Sequence, residues 1–280
     1  MTDIALASYY RPVRHPCLFD AEPLFAATGL LIGLSMTAIL AAMSLDSRQF
    51  LGENVWLKPI KFQIALTLYL LTLAFFARWL PVGMTARRSY RLYSGAVIFA
   101  IIAELAWVSG AAMYGTASHF NVTNPVMQGI YGLMGLFAVL LTSATLVHGI
   151  AIWRNPRTGL PAALQLSIAL GLVLTFILTV VVAGTMASLP GHLIGTPVTG
   201  TTVPIVGWSR EVGDLRAPHF FATHAMHAVP VIGVLAGTLL PHRLATNAVW
   251  AFALLFTAFV TASFAGSLTG LPLIPEFQTR

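Results

Sequence analysis

Three of the chain's eight histidines, His219, His224 and His227, stand in the stretch GDLRAPHFFATHAMHAVPVIGVLAGTLL, residues 213–240. At about 100° per residue they fall near 0°, 140° and 80° on a helical wheel, so they share one broad face. A rise of ~1.5 Å per residue carries that face ~12 Å into a membrane, from His219 to His227. Asp214 and Arg216 stand at its mouth. Pro230 follows one turn later and cannot donate to the carbonyl of Met226, which is left for a ligand or water. Gly233 and Gly237 allow a close helix neighbour. A polar entrance on an apolar helix faces a protein interior or a wet cavity rather than lipid.

Glu104 is the acid placed deepest in any apolar run, ten residues before Tyr114 and with Trp107 one turn away. A charge at mid-membrane costs at least ~2.5–3.5 kcal/mol, so the carboxyl is expected to be neutral, paired or metal-bound. If the third and sixth apolar runs are neighbours, Glu104, His224 and His227 lie at comparable depth. Two imidazoles and a carboxylate suit zinc, iron or copper, and an open position would activate water or oxygen. These three are the catalytic and metal-ligand candidates. His119 and His219 are the cofactor-binding candidates, because a haem needs facing histidines at matched depth. Lys61, Asp214 and Arg216 are the substrate-binding candidates at the outer mouth. The same histidines could instead relay protons or hydrogen-bond neighbouring helices.

The remaining candidates read more plainly. Lys58 and Lys61 sit at a helix start, where the helix dipole repels cations. Lys58 is read as snorkelling to headgroups, and Lys61, a turn deeper, as a partner for an acidic group. His119 and Asn121 lie at the membrane lip, and Asn121-Val122-Thr123 fits a glycosylation sequon. His148 reads as an interface histidine and His192 as solvated. His15 and Cys17 offer two ligands, too few for a metal site.

These residues must be held by membrane helices. Of the 280 residues, 57% are hydrophobic and 9% charged, which excludes an ordinary soluble domain. Seven spans are expected: Pro23–Met43, Pro59–Leu80, Arg91–Tyr114, Gln128–Trp153, Ala162–Ser188, Pro218–Leu240 and Asn247–Leu268. The fold class is all-α, a seven-helix polytopic bundle over residues 22–270. A tail, 1–21, precedes it and a tail, 271–280, follows. The longest loop, 189–217, joins the fifth and sixth spans and has the Gly/Pro/Thr punctuation of a lid, with a small hairpin expected in PVTGTTVPIV. Nine basic residues (Arg11, Arg14, Arg78, Arg87, Arg88, Arg91, Arg154, Arg157 and Arg243) fall on one side and six on the other. The positive-inside rule then gives N-in, C-out, with the long loop exoplasmic. The first apolar run is too long for a removable signal peptide. The net charge of +6 is scattered at the ends of apolar runs, so no nucleic acid is expected as a partner. The single cysteine excludes an internal disulfide.

Seven spans and the HAMH stretch at His224 loosely resemble the intramembrane zinc hydrolases of the alkaline ceramidase and adiponectin receptor type. That family carries a histidine pair on its last helix, and the seventh span here has none, so no role transfers. A retinal protein is excluded by the absence of a lysine from that span.

The expected function is a metal- or haem-dependent membrane enzyme, redox slightly favoured over hydrolytic. It would act on a small-molecule or lipid substrate from a multi-pass position in a membrane, the inner membrane in a bacterium. Helix-mediated oligomers are compatible with the glycine-rich spans. A proton-coupled transporter using Glu104 and the sixth-span histidines is the second expectation, and a scaffold subunit with a structural polar cluster the third.

Overall fold

A computed structural model describes residues 18–122 and 124–276. His15, Cys17 and the end of the sequon at Thr123 lie outside the described residues, as do Arg11, Arg14 and Arg280. Among the described residues are eight α-helices: α1 (Leu18–Ala21), α2 (Pro23–Leu45), α3 (Leu57–Phe76), α4 (Arg88–Tyr114), α5 (Pro125–Trp153), α6 (Ala162–Ala187), α7 (Arg216–Leu239) and α8 (His242–Leu268). A 3-10 turn, Ala77–Trp79, extends α3. Seven of the helices, α2 to α8, are long and apolar enough to cross a membrane. The chain is thus an all-helical, multi-pass protein.

Local chemistry sets the helix ends. Pro23 and Pro125 occupy first turns, where a missing N–H costs nothing. The Asn124 side chain caps α5 by accepting from Met127 N at 3.0 Å. Gly115 (φ 65°) ends α4 in a left-handed turn that a Cβ would strain. Helix α8 begins five residues before the expected Asn247, because its polar first turn is helical without being apolar.

Consecutive helices pack side by side, and α6, α7 and α8 also form a triangle. Helices α6 and α7 are the most intimate pair. A Cβ at Gly171 would lie 2.9 Å from both Ala225 O and Pro230 Cδ, and one at Gly233 would overlap the Ser167 side chain. Gly237 has nothing within 4 Å, so of the two glycines expected to admit a neighbour only Gly233 does.

The bundle has two unlike ends. One, the arginine face, carries α1 and the short connections 77–87 and 154–161. The other, the loop face, carries the remaining long connections. There Gln49–Phe50 (β1) and Glu53–Asn54 (β2) form a hairpin. In the longest loop Leu193–Ile194 (β3) pairs with Gly213–Asp214 (β4) at the base, and a small hairpin forms above it, shifted towards the C-terminal end of the expected segment: Thr202 bridges Ser209, and Val203 N donates to Trp208 O at 2.8 Å. Within it the Glu211 carboxylate accepts from the backbone N–H groups of Val198, Thr199 and Thr201 at 2.7–3.0 Å. Prolines 197 and 204 could not have supplied a regular ladder.

Candidate functional site

The site residues fall into two groups, both touching α3. The first lies under the loop face. Segment 115–122 folds against the bundle at the loop face. Trp107 Nε1 on α4 donates to Ser118 O at 2.7 Å and draws the segment back against the bundle. Ser118 is consequently buried, and His119 is half-buried. The His119 ring sits between Phe62 (5.6 Å) and Tyr131 (5.9 Å). Its Nδ1 lies 3.3 Å from Lys58 Nζ and 3.1 Å from Ser118 Oγ. An ammonium only donates, so His119 Nδ1 is an acceptor and the hydrogen rides on Nε2. Burial first, then the charges at Lys58 and His219, push its pKa down to about 3.

Glu104 is 4% exposed and makes no hydrogen bond among the described residues; its Oε2 is buried without a partner. Lys58 is the cation that bears on it electrostatically. His219 adds a second orphan, a buried Nδ1 without a partner. Buried polar atoms are nearly always satisfied, so two orphans on either side of the Lys58–His119 contact mark polar groups that a water or a small polar solute would satisfy. Lys58, read from sequence as a snorkelling side chain, is the lysine that reaches this group. Lys61 instead faces Glu53 at 3.9 Å.

Asp214 and Arg216 do a different job. Asp214 is 2% exposed and accepts from Ser209 N and Arg216 N, with Arg216 Nη2 at 2.7 Å. Arg216 Nη2 also donates to Gly207 O. The pair pins Gly207 and Ser209 of the long loop to the start of α7, and its hydrogen bonds go into that pin. His192, expected in solvent, is half-buried beside Phe120 at 6.3 Å. Burial and Arg216 push its pKa down.

The second group lies halfway along α7. His224 Nδ1 and His227 Nδ1 are 3.1 Å apart, and His227 Nε2 is 3.0 Å from Thr72 Oγ1 on α3. The α7 backbone is loosened here. Met226 N–H donates to Thr175 Oγ1 on α6 at 2.8 Å, and Thr175 Oγ1 donates to Gly171 O at 2.9 Å. Pro230, without an N–H, leaves the Met226 carbonyl lacking its helical donor. Below His227 a cleft of about 600 Å³ opens between α3 and α7 towards the arginine face. Leu71, Phe75, Ile168, Met226 and Val234 make its walls apolar, and Thr72 and His227 stand at its head.

No hydrogen bond or ion pair joins Glu104 to His224 or His227 among the described residues. Helix α4 packs on α3 and α5, and α7 packs on α6 and α8. Helix α3 supplies the neighbour in each case, at well-separated levels: Lys58 in its first turn for the first group and Thr72 in its last two turns for the second. Among the described residues, no three His, Cys, Asp or Glu side chains are arranged to hold a metal ion. His224 and His227 turn their facing nitrogens on each other, and His119 keeps only Nε2 for an iron.

Sequence reasoning missed Thr72, Thr175 and Ser118, whose hydroxyls look like any others in apolar runs. Lys58 did carry a signal, a cation at the wrong end of a helix dipole.

No family model matches the chain, and no curated protein and no solved structure is similar to it.

Proposed function

We propose that this protein is a proton-coupled membrane carrier with its loop face outward, in which a small polar solute binds beneath the long loop. The observation that carries the reading is the hydrogen-bonded chain His224–His227–Thr72 at the head of a cleft towards the opposite face, on the helix that also carries the orphaned His219 Nδ1. An Nδ1···Nδ1 hydrogen bond requires one ring to donate and the other to accept, so the two histidines hold opposite tautomers. A proton arriving on His224 passes through this bond to His227. The Nε2 proton of His227 then moves to the Thr72 oxygen as the Thr72 hydroxyl gives its own proton to a water at the head of the cleft. His219 precedes them on the same helix; its step to His224 has no direct bond and requires a water. Lys58 bears on Glu104 through space without an ion pair between them, and a solute carrying a donor and an acceptor would bridge the two.

The test is proton flux into liposomes holding the purified chain and a pH-sensitive dye, driven by an imposed membrane potential. His227→Gln and Thr72→Val should lower the flux, by a factor on the order of 10², while Thr72→Ser retains it. Flux no greater than in protein-free liposomes, or equal in His227→Gln, overturns the reading. Stoichiometric metal that is lost in His224→Ala would return the site to the metal-dependent enzyme.

A further inference from the structure

A second buried group of titratable side chains lies at the arginine face, on helices the relay does not use. Glu22, just before α2, is 3% exposed; Tyr90, in the first turn of α4, is 5% exposed; His148, near the end of α5, is fully buried. Tyr90 OH lies 2.8 Å from His148 Nε2 and is hydrogen-bonded to the Glu22 carboxyl. The Tyr90 and His148 rings stack at 6.0 Å and 14°, with Phe25 on the imidazole at 6.0 Å. His148 Nδ1 is buried and has no partner.

We infer that Glu22, Tyr90 and His148 form a second proton site, which accepts a proton at His148 Nδ1 and delivers one to the Glu22 carboxylate. In the unloaded state Tyr90 O–H donates to Glu22, and His148 Nε2–H donates to the Tyr90 oxygen. A proton binds the Nδ1 lone pair. The Nε2 proton crosses to the Tyr90 oxygen, and the Tyr90 proton crosses to Glu22. The products are a neutral carboxylic acid, an intact phenol and an imidazole with its hydrogen on Nδ1. One proton enters, three N–H or O–H bonds form and two break, and no heavy atom needs to move. The charge left in the protein falls from −1 to zero, which suits a group held out of water. Burial raises the Glu22 pKa in the same sense.

Among the described residues Tyr93, whose hydroxyl meets Ser143 Oγ, also bears on the site, and Asp20 stands two residues before Glu22. From α3, Arg78 lies over the Phe75 and Trp79 rings. From α4 and α5, Arg87, Arg88, Arg91 and Arg154 make no ion pair with Glu22 among the described residues. There the carboxylate accepts from the Tyr90 phenol and the Phe25 backbone N–H.

This inference does not rest on the carrier reading, and its test uses no flux. Infrared difference spectra of the full chain in lipid are recorded across a pH titration, with ring-labelled histidine. The expected result is a carboxylic acid C=O band and a Nε2–H to Nδ1–H change in one histidine, with a common midpoint. Glu22→Gln removes both, and Tyr90→Phe uncouples them. A carboxyl band that survives Glu22→Gln, or a ring change that titrates apart from it in the unmodified chain, overturns the proposal. The spectrum of the unmodified chain decides the matter even where Tyr90→Phe fails to fold.

Discussion

Gly233→Ala tests the packing on which the α7 relay depends. A Cβ at this position falls inside the van der Waals envelope of Ser167, on a fully buried turn of α6. Ser167 Oγ can rotate away from its bond to Leu164 O, but its Cβ cannot. The two helices must part, and overpacking of this kind costs ~1–3 kcal/mol. Parting them also stretches the 2.8 Å bond from Met226 N–H to Thr175 Oγ1. A buried donor left unsatisfied costs ~1–3 kcal/mol. A total of about 2–6 kcal/mol lowers the folding equilibrium by about 30- to 20,000-fold. Gly237→Ala, with nothing within 4 Å, should be neutral or slightly stabilising. The assay is unfolding in mixed micelles followed by circular dichroism. Ser167→Gly combined with Gly233→Ala should recover most of the loss, a coupling that independent sites lack. Equal stability of Gly233→Ala and Gly237→Ala, or no recovery in the double variant, would refute the reasoning.

Three further outcomes follow from the site. His119 is held neutral at a pKa of about 3 against an ordinary 6.5, so the unfolded chain binds more protons between those values. Stability contributed by His119 is complete above pH 6.5 and declines as pH falls towards 3, by up to about 1.4 kcal/mol per pH unit. Unfolding of His119→Asn measured from pH 7.5 to 4.5 should show a shallower decline, and an unchanged slope counts against the buried, neutral ring. Lys58→Met should destabilise by about 1–3 kcal/mol, because Glu104 loses its cation. Lys61→Met should stay within about 0.5 kcal/mol, since its pair with Glu53 is long and open to solvent; the reverse order in thermal unfolding would reassign the lysine that bears on Glu104. With Cys17 replaced, cysteines at Arg87 and Arg157 should label from the cytoplasmic side and one at Val198 from the other. Labelling of all three from one side sinks the orientation.

The helices were legible because apolar runs of membrane length have few alternatives, and the proline and asparagine at the starts of α2 and α5 mark their own ends. Spacing along one helix was legible too: His224 and His227, three residues apart, do lie together. Neighbours between helices were not, because a helix turned by a third of a revolution keeps every residue at its level and changes every neighbour. Glu104 is influenced by Lys58 in the first turn of α3, whereas His227 meets Thr72 near the other end of that helix. The partial burial of His119 was hidden for a related reason. A glycine-ended helix followed by a short polar segment reads as a lip, and only the Trp107–Ser118 bond draws it inward. Asp214 and Arg216 looked like free charges at a mouth because a single residue between opposite charges permits either an ion pair or two separate ligands. The loop's closure on Gly207 and Ser209 selects the pair.

The claim that His224 and His227 share one proton is tested most directly by nitrogen-15 NMR of the ring-labelled chain in lipid bilayers near neutral pH. The account predicts one Nδ1 carrying hydrogen and one bare Nδ1, with a scalar coupling across the bond between them that disappears in His227→Gln. Two rings both protonated only at Nε2, without coupling, would contradict it, as would a pair of Nδ1 shifts characteristic of a bound metal.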